Sequence, residues 1–464
     1  MILFKQSVSS ASKVVCASLL GFVLVTASSS VFAAEAKFKP RSLPGISEKV
    51  FKAMGKITEL ISPDTDENPD AKPNPPAALK TAEALEKKCI KDKCNGYEMA
   101  QVYRMLGYVV YQMDRPADAV KYYKKVVAQS PNIPVGIELE NLYYIAQLQY
   151  SLDKMSDAID MIRKYKKLSE ETGKEITPQV YDFEARLCWQ NDDKKCALRN
   201  ITKAISIVEG RGSIADESWY VLQRSVHDEK EDYKKSLPIH EKLIRHYPKK
   251  SYWPLLASYY GLLERDKDQL GAMDAAYMQG ALTRERQIIN LAKLYLFEGV
   301  PAKSVQLIQK GMKDKVIPRT EDNLDLLATM QIRAKDFADA AKTLEAAGKN
   351  AKTGKHHARL VGVYFDLDKP LKAIKAGETA LERGKLKDSL AGEIRINMGM
   401  AYSEVRQFTK SIESFEKAAE FKKYERTGKT WKRYIENERA RYNGLKESLS
   451  AVGLDIEKVF KNQK

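Results

Sequence analysis

The chain carries almost none of the local signatures of catalysis. There is no Gly-x-Ser-x-Gly elbow, no Gly-rich phosphate loop ending in Gly-Lys-Ser/Thr and no His-Glu-x-x-His. Those absences exclude the familiar hydrolase, nucleotide and zinc-peptidase motifs. Histidine is scarce: only His227, His240, His246, His356 and His357 occur, and no two are four apart on a helix. His356 and His357 are adjacent and so project to different sides of a helix. Gly210-Arg211-Gly212 is too short to cradle a phosphate. The stretch Asp64-Thr65-Asp66-Glu67-Asn68 opens like a calcium loop, but Pro69 stands where Gly is needed and Pro75 where Glu is needed. No catalytic residue, cofactor or metal is therefore predicted.

Long apolar runs are equally rare. The single candidate, Val14 to Val25, follows Lys5 and Lys13 and leads through small residues to Val31-Phe32-Ala33, with Ala34-Glu35-Ala36 as a second cleavage site. A basic start, a short apolar run and small residues at the cut define a secretory signal peptide over 1–33. The run is short for a span of roughly 20 residues. Export to a periplasm as a soluble protein is expected, with membrane contact no more than peripheral. Of five cysteines, Cys16 leaves with the signal peptide. Cys89 with Cys94 and Cys188 with Cys196 form two local pairs, to be read either as disulfides, which an oxidising compartment permits, or as buried free thiols. A zinc site built from all four is disfavoured, because neither pair has the close Cys-x2-Cys spacing.

The formal net charge of +16 falls to +14 once Lys5 and Lys13 leave. Lys and Arg are interleaved with Glu and Asp along nearly every helix, without one basic block. That distribution and export argue against nucleic acid. Acidic protein segments, lipid head groups and anionic cell-wall polymers remain as partners for a basic surface, and a merely solvated face accounts for the bias equally well.

What the chain does have is a repeat. Tyr103, Leu106, Gly107, Ala119, Tyr123 and Pro131 match the spacing W-x2-L-G, A-x3-F, P, with aromatic residues standing in for Trp and Phe. This is the tetratricopeptide pattern, a helix–turn–helix of roughly 34 residues. Gly107 lets Ala119 of the second helix lie close to the first. Eight further units follow, marked by Leu142, Ile145, Ala146, Ala158 and Ile162; by Tyr181, Ala185, Ala197, Ile201 and Ala204; and by Trp219, Leu222, Ser236, Leu243 and Pro248, the last with one residue of slippage. The others carry Trp253, Leu256, Ala257 and Tyr260; Leu291, Ala292 and Tyr295; Leu327, Ala328, Ala340, Leu344 and Ala347; Leu360, Tyr364, Ala373 and Ala380; and Met398, Gly399, Tyr402, Phe415 and Ala418. A single hairpin cannot bury its apolar stripe, so it is built to be stacked. The predicted fold is all-α, a tetratricopeptide-repeat α-solenoid, a right-handed superhelix of about nine units plus capping helices. Residues 34–99 form a leader and a degenerate capping hairpin with a Pro/Asp-rich loop, 100–426 the tandem repeats, and 427–464 a basic capping helix and tail.

Such a solenoid grips proteins along a concave face lined by first helices. The register places Arg104, Tyr108, Tyr111 and Gln112 there, then Tyr143, Gln147 and Tyr150, then Arg186, Trp189 and Gln190, then Tyr220 and Arg224. Tyr, Trp and Arg dominate binding hot spots, since they bury much area and still hydrogen-bond. Packing in the seam between hairpins is the competing role for the tyrosines. Ser258, Gly261, Thr329, Gly362 and Ser403 make a plainer lining further on. The Lys/Asn clamp for a C-terminal carboxylate is not evident.

Several stretches go beyond the generic repeat: Pro131-Asn132-Ile133-Pro134 with Leu142-Tyr143-Tyr144-Ile145-Ala146-Gln147-Leu148, Tyr247-Pro248-Lys249-Lys250-Ser251-Tyr252-Trp253, Asn290-Leu291-Ala292-Lys293-Leu294-Tyr295-Leu296, and Gly299-Val300-Pro301-Ala302-Lys303. Over about 97–434 the chain resembles the periplasmic tetratricopeptide proteins encoded beside TonB–ExbB–ExbD energy-transducing systems of Gram-negative bacteria. The resemblance implies a non-enzymatic scaffold or accessory component of TonB-dependent uptake, with TonB/ExbB/ExbD-type proteins as partners. It supplies no catalytic residues. The alternative is an envelope-assembly scaffold for outer-membrane proteins or polysaccharide export.

Overall fold

The computed structural model describes residue 41, residues 44–63 and residues 71–456. The signal peptide, most of the leader, the calcium-like stretch 64–68 and the last residues of the tail lie outside these. The chain divides into two compact units, Met1–Ile207 and Val208–Lys464. Among the described residues there is no strand, and no helix is long and apolar enough to cross a membrane.

The first unit opens with α1 (Glu48–Ile61) and α2 (Pro75–Lys91). Three hairpins follow: α3 (Gly96–Gln112) with α4 (Pro116–Val127), α5 (Val135–Ser151) with α6 (Met155–Glu171), and α7 (Pro178–Gln190) with α8 (Lys194–Gly210), within which the unit ends. Its core runs from Val50 and Ile57 through Ala82 and Leu106 to Tyr123 and Ile145. The start of α3 is tied to the N-terminal hairpin by one carboxylate. Glu98 accepts from the Asn95 backbone N–H at 2.9 Å, closing a capping box, and from both the N–H and the hydroxyl of Ser47, at 2.8 and 2.6 Å. Burial would raise the Glu98 pKa, but these donors hold it below the ordinary carboxylate value.

The second unit holds six more hairpins: α9 (Glu217–Asp228) with α10 (Tyr233–His246), α11 (Trp253–Leu262) with α12 (Asp266–Met278), α13 (Glu285–Phe297) with α14 (Pro301–Lys313), α15 (Glu321–Arg333) with α16 (Phe337–Gly348), α17 (Lys355–Asp366) with α18 (Pro370–Arg383), and α19 (Asp388–Glu404) with α20 (Phe408–Ala419). A long helix, α21 (Glu425–Ala451), follows. Trp431 stacks on Phe415 at 5.8 Å and Ile435 is buried, so the first half of α21 covers the last hairpin.

Each hairpin turns in the same way. Asp114, Asp153, Asp192, Glu231, Glu264, Gly299, Lys335, Asp368 and Arg406 all have positive φ, one per hairpin. The following N–H reaches back five residues, as Arg115 does to the Val110 carbonyl (3.0 Å) and Gln407 to that of Tyr402 (2.8 Å). This left-handed closure satisfies the carbonyls left at the end of the first helix and reverses the chain. Eight of these positions are not glycine, although only glycine adopts that φ without cost.

Seven residues before each turn stand Gly107, Ala146, Ala185, Arg224, Ala257, Ala292, Ala328, Val361 and Gly399, on the side of the first helix that faces the second. A methyl group on Gly107 would lie 2.6 Å from the Tyr123 ring, and one on Gly399 would lie 2.7 Å from Phe415. In the sixth and ninth units a buried serine completes the contact: Ser304 donates to the Ala292 carbonyl at 2.6 Å and Ser411 to that of Gly399 at 2.7 Å. The fourth unit departs from the expected register. Its turn at Glu231 makes Tyr220 the equivalent of Tyr103, and Arg224 rather than Gln223 the residue opposite the second helix. Trp219 and Leu222, taken as its landmarks, are buried one position earlier.

Gly107→Ala should lower unfolding stability by roughly 1–3 kcal/mol through overpacking against Tyr123. Gly362→Ala, which meets nothing within 4 Å in α17, should raise it by about 0.5–1 kcal/mol. Chemical denaturation of both variants checks the contrast.

Candidate partner-binding groove

The first helices of the three hairpins in the first unit are joined side chain to side chain. Arg104 of α3 donates to Glu140 of α5 at 2.9 Å. The Tyr143 ring of α5 meets Phe183 of α7 edge-on at 5.5 Å and lies 6.0 Å from Tyr165. Tyr150 also meets Phe183 edge-on, at 5.8 Å, and its hydroxyl accepts from the Gln190 amide at 2.9 Å. Burial, reinforced by Asp182 and Tyr165, pushes the Tyr143 pKa up to about 12, so the phenol stays protonated at any physiological pH. Beside this row lies a cleft of about 490 Å³ whose lining includes Glu140, Tyr143, Tyr165, Lys174, Thr177 and Gln179.

The expected lining residues therefore separate. Arg104, Tyr108, Tyr111, Tyr143, Tyr150, Arg186 and Trp189 are all half-buried, and Gln112 and Gln190 are exposed. The two arginines are internally neutralised: Arg104 by Glu140, and Arg186 by Asp182 one turn earlier on α7, at 2.9 Å. The Trp189 ring is covered by the Lys194 ammonium, 3.7 Å from its centroid. Tyr143 and Tyr150 pack between successive first helices while keeping an edge to solvent. Phe183, around which both gather, was missed by the sequence reading. Its position, one residue after Asp182 in the α7 register, was the available signal.

Tyr220 and Arg224 do not belong to the groove. Tyr220 is 1% exposed, and its hydroxyl donates to Glu209 at 2.6 Å. Burial and that bond push its pKa up to about 12, while Lys242 and Tyr220 hold Glu209 low against its own burial. The Arg224 side chain is 13% exposed and turned into its own hairpin, with Nε 3.3 Å from Asp228 and Nη1 3.2 Å from His240 Nδ1. The expected register was one residue out, which turns both side chains from the open face into the seam. Asp228 also accepts from the Tyr259 hydroxyl at 2.7 Å, and His240 Nε2 lies 2.8 Å from the Tyr252 carbonyl.

The lining of the later repeats is not uniformly plain either. Thr329 accepts from Arg359 at 2.9 Å, and Arg359 and Lys355 both pair with Asp325. His356, 1% exposed, bridges Asp325 (3.1 Å) and Glu321 (2.8 Å). These contacts join α15 to α17 by charge, where aromatic rings join α5 to α7.

The cysteines form two disulfides, Cys89–Cys94 and Cys188–Cys196, with Cα separations of 4.9 and 5.7 Å. The first ties the end of α2 to the turn that precedes α3. The second crosses the turn between α7 and α8. Among the described residues one group of potential metal ligands occurs, Glu184 with Cys188 and Cys196, all buried.

Among the described residues, nine hairpins with one turn geometry make up an all-α fold of tetratricopeptide type. No protein-family profile and no curated protein sequence matches the chain. Among solved structures it is similar to the MamA protein, at 18% identity and a TM-score of 0.32 over 39% of this chain and 90% of that one. It is also similar to YrrB, described as a TPR protein with an unusual peptide-binding site (14%, 0.32, covering 42% and 91%). A third is the APC/C hetero-tetramer Cut9–Hcn1 (12%, 0.28, covering 85% and 93%). These similarities concern the helical-repeat fold alone, and the assignment rests on the hairpins themselves.

The buried His240 sets a pH dependence. Burial lowers its pKa and the Arg224 charge lowers it further, against the opposing Tyr252 carbonyl. A group whose pKa is depressed on folding stabilises above its unfolded value, near 6.5, and that contribution is lost as pH falls toward the folded value. Melting temperature should therefore fall between about pH 7.5 and 5.5. His240→Gln, which cannot take up the proton, should show a flatter profile over the same range.

Proposed function

We propose that this protein is a non-enzymatic, exported scaffold that holds a protein partner on the first-helix face of its first unit. It would serve as an accessory component of a TonB-dependent uptake system in the periplasm. The observation that carries the reading is the continuous row from Arg104–Glu140 through Tyr143–Phe183 to Tyr150–Gln190. It fixes a guanidinium, aromatic edges and an amide across the first helices of three successive hairpins, so a partner meets a preorganised surface with little ordering left to do. The internally paired arginines make affinity depend more on aromatic area than on free positive charge. Export is supported by the 1–33 segment, and the TonB setting by the resemblance over the repeats.

Affinity capture from crosslinked cells, read by mass spectrometry on the periplasmic fraction, tests the partner. TonB-, ExbB- or ExbD-type proteins are expected. Recovery of outer-membrane assembly or polysaccharide-export proteins instead would replace the TonB reading with the envelope-scaffold one. The surface is tested by Tyr111→Ala combined with Arg186→Ala, which should weaken binding of the captured partner by about 2 kcal/mol, near thirtyfold. Ser258→Ala, whose hydroxyl bonds only within its own helix in the described contacts, should leave binding unchanged. Undiminished affinity in the folded double variant would move the binding surface elsewhere.

A further inference from the structure

The α7–α8 hairpin buries a carboxylate where the two preceding hairpins bury a hydrocarbon. Glu184 occupies the position held by Leu106 in the first unit and Ile145 in the second, and is 2% exposed. Its Oε2 accepts from the Lys166 ammonium at 2.8 Å. Its other oxygen, Oε1, faces Cys196 Sγ at 4.0 Å. The ligand atoms of Glu184, Cys188 and Cys196 lie within 4.8 Å of one another. Asn200, also buried, donates to Cys196 Sγ at 3.3 Å, and its own amide oxygen accepts from Lys166 at 3.2 Å. A disulfide alone needs neither the carboxylate nor this second layer of polar groups.

We propose that this turn is a redox-exchanged metal site: with the disulfide opened, Cys188, Cys196 and Glu184 hold one thiophilic divalent ion such as zinc. Two thiolates and a carboxylate are a fitting donor set for tetrahedral zinc, with water in the fourth position. Charge favours the occupied state over a bare dithiolate. Two thiolates, one carboxylate, one ammonium and one divalent cation sum to zero, as do the disulfide, carboxylate and ammonium of the oxidised state. Two buried thiolates without the ion would leave an uncompensated charge of minus two, which a buried site strongly disfavours. The Asn200 amide is placed to hydrogen-bond a metal-bound thiolate, and Lys166 to orient the carboxylate.

The chemistry balances with a thiol reductant. Two RSH become RSSR, and two electrons and two protons pass to Cys188 and Cys196 as the S–S bond breaks. Binding then forms two sulfur–metal bonds and releases those two protons. Reoxidation of the cysteines by a disulfide-bearing oxidant expels the ion.

The test uses the full mature chain with Cys89→Ser and Cys94→Ser, so that only the second pair can respond. It is reduced by a phosphine, which takes its oxygen from water and does not compete as a thiol, and is then titrated with cobalt(II) without oxygen. The proposal expects one equivalent bound, with intense thiolate-to-cobalt charge-transfer bands and tetrahedral ligand-field bands, displaced by zinc. The oxidised protein should bind none. Cys188→Ser, which leaves only the Cys196 thiolate, should lose at least half of the charge-transfer intensity, and Glu184→Gln should keep it while weakening affinity roughly tenfold or more. In the protein with all its native cysteines, zinc should slow alkylation of Cys188 and Cys196 after reduction, a readout that needs no variant. Cobalt binding without thiolate bands, no binding after reduction, or a reduced chain that loses helicity and does not regain it with zinc would each overturn the site. Unchanged affinity in folded Glu184→Gln would overturn the role of the carboxylate.

Discussion

The repeats depend on two helices approaching closely once per hairpin. In seven of the nine hairpins a Gly or Ala stands on the first helix, seven positions before a turn residue that takes the left-handed conformation. The turn fixes the register and the small residue fixes the separation. Together they aim one stripe of each helix into the hairpin and another toward the next hairpin. That geometry leaves the outer stripe of each first helix free to form a row. Tyr143, Phe183 and Tyr150 can meet across α5 and α7 only because Ala146 and Ala185 let each first helix sit close to its own second helix.

The fourth repeat is built on a different contact. Arg224 stands where its counterparts are Gly, Ala or Val, and it faces His240 where they have Tyr, Ile, Met, Leu, Phe or Gly. Asp228, Tyr259 and the Tyr252 carbonyl surround the pair. A buried polar group of this kind contributes little to stability when complete and costs several kcal/mol when one member is removed. The repeat is thereby joined to α11 through hydrogen bonds as well as through the apolar packing of Leu237 with Leu256 and Tyr259. Its response to acid involves two buried imidazoles, His240 and His227, whose pKa values burial lowers.

The repeats themselves were legible in the sequence, because Gly107 with Tyr123 and Gly399 with Phe415 leave their imprint at fixed spacing. The fourth repeat was not. There Trp219 and Leu222 match the pattern one residue out of register, since nothing in helical propensity expects an arginine at the tightest position. The slip carried Tyr220 and Arg224 to the wrong face. The contact partners of the groove were hidden for another reason. Glu140, Asp182 and Phe183 become neighbours of Arg104, Arg186 and Tyr143 through helical spacing and stacking, which a list of favoured residue types does not encode. Nothing in the sequence sets Glu184 apart from the other charged helix residues; only the fold buries it beside a cysteine pair.

The central claim is that close contact within a hairpin controls stability locally, through nearest neighbours. Residue-resolved hydrogen exchange on Gly399→Ala tests it directly, since the added methyl group presses on Phe415 within the second unit. The account predicts faster amide exchange in α19, α20 and the first half of α21, a smaller rise in α17 and α18, and unchanged rates in α13 and α14. A uniform rise across α9–α21, or none in α19 and α20, would contradict it.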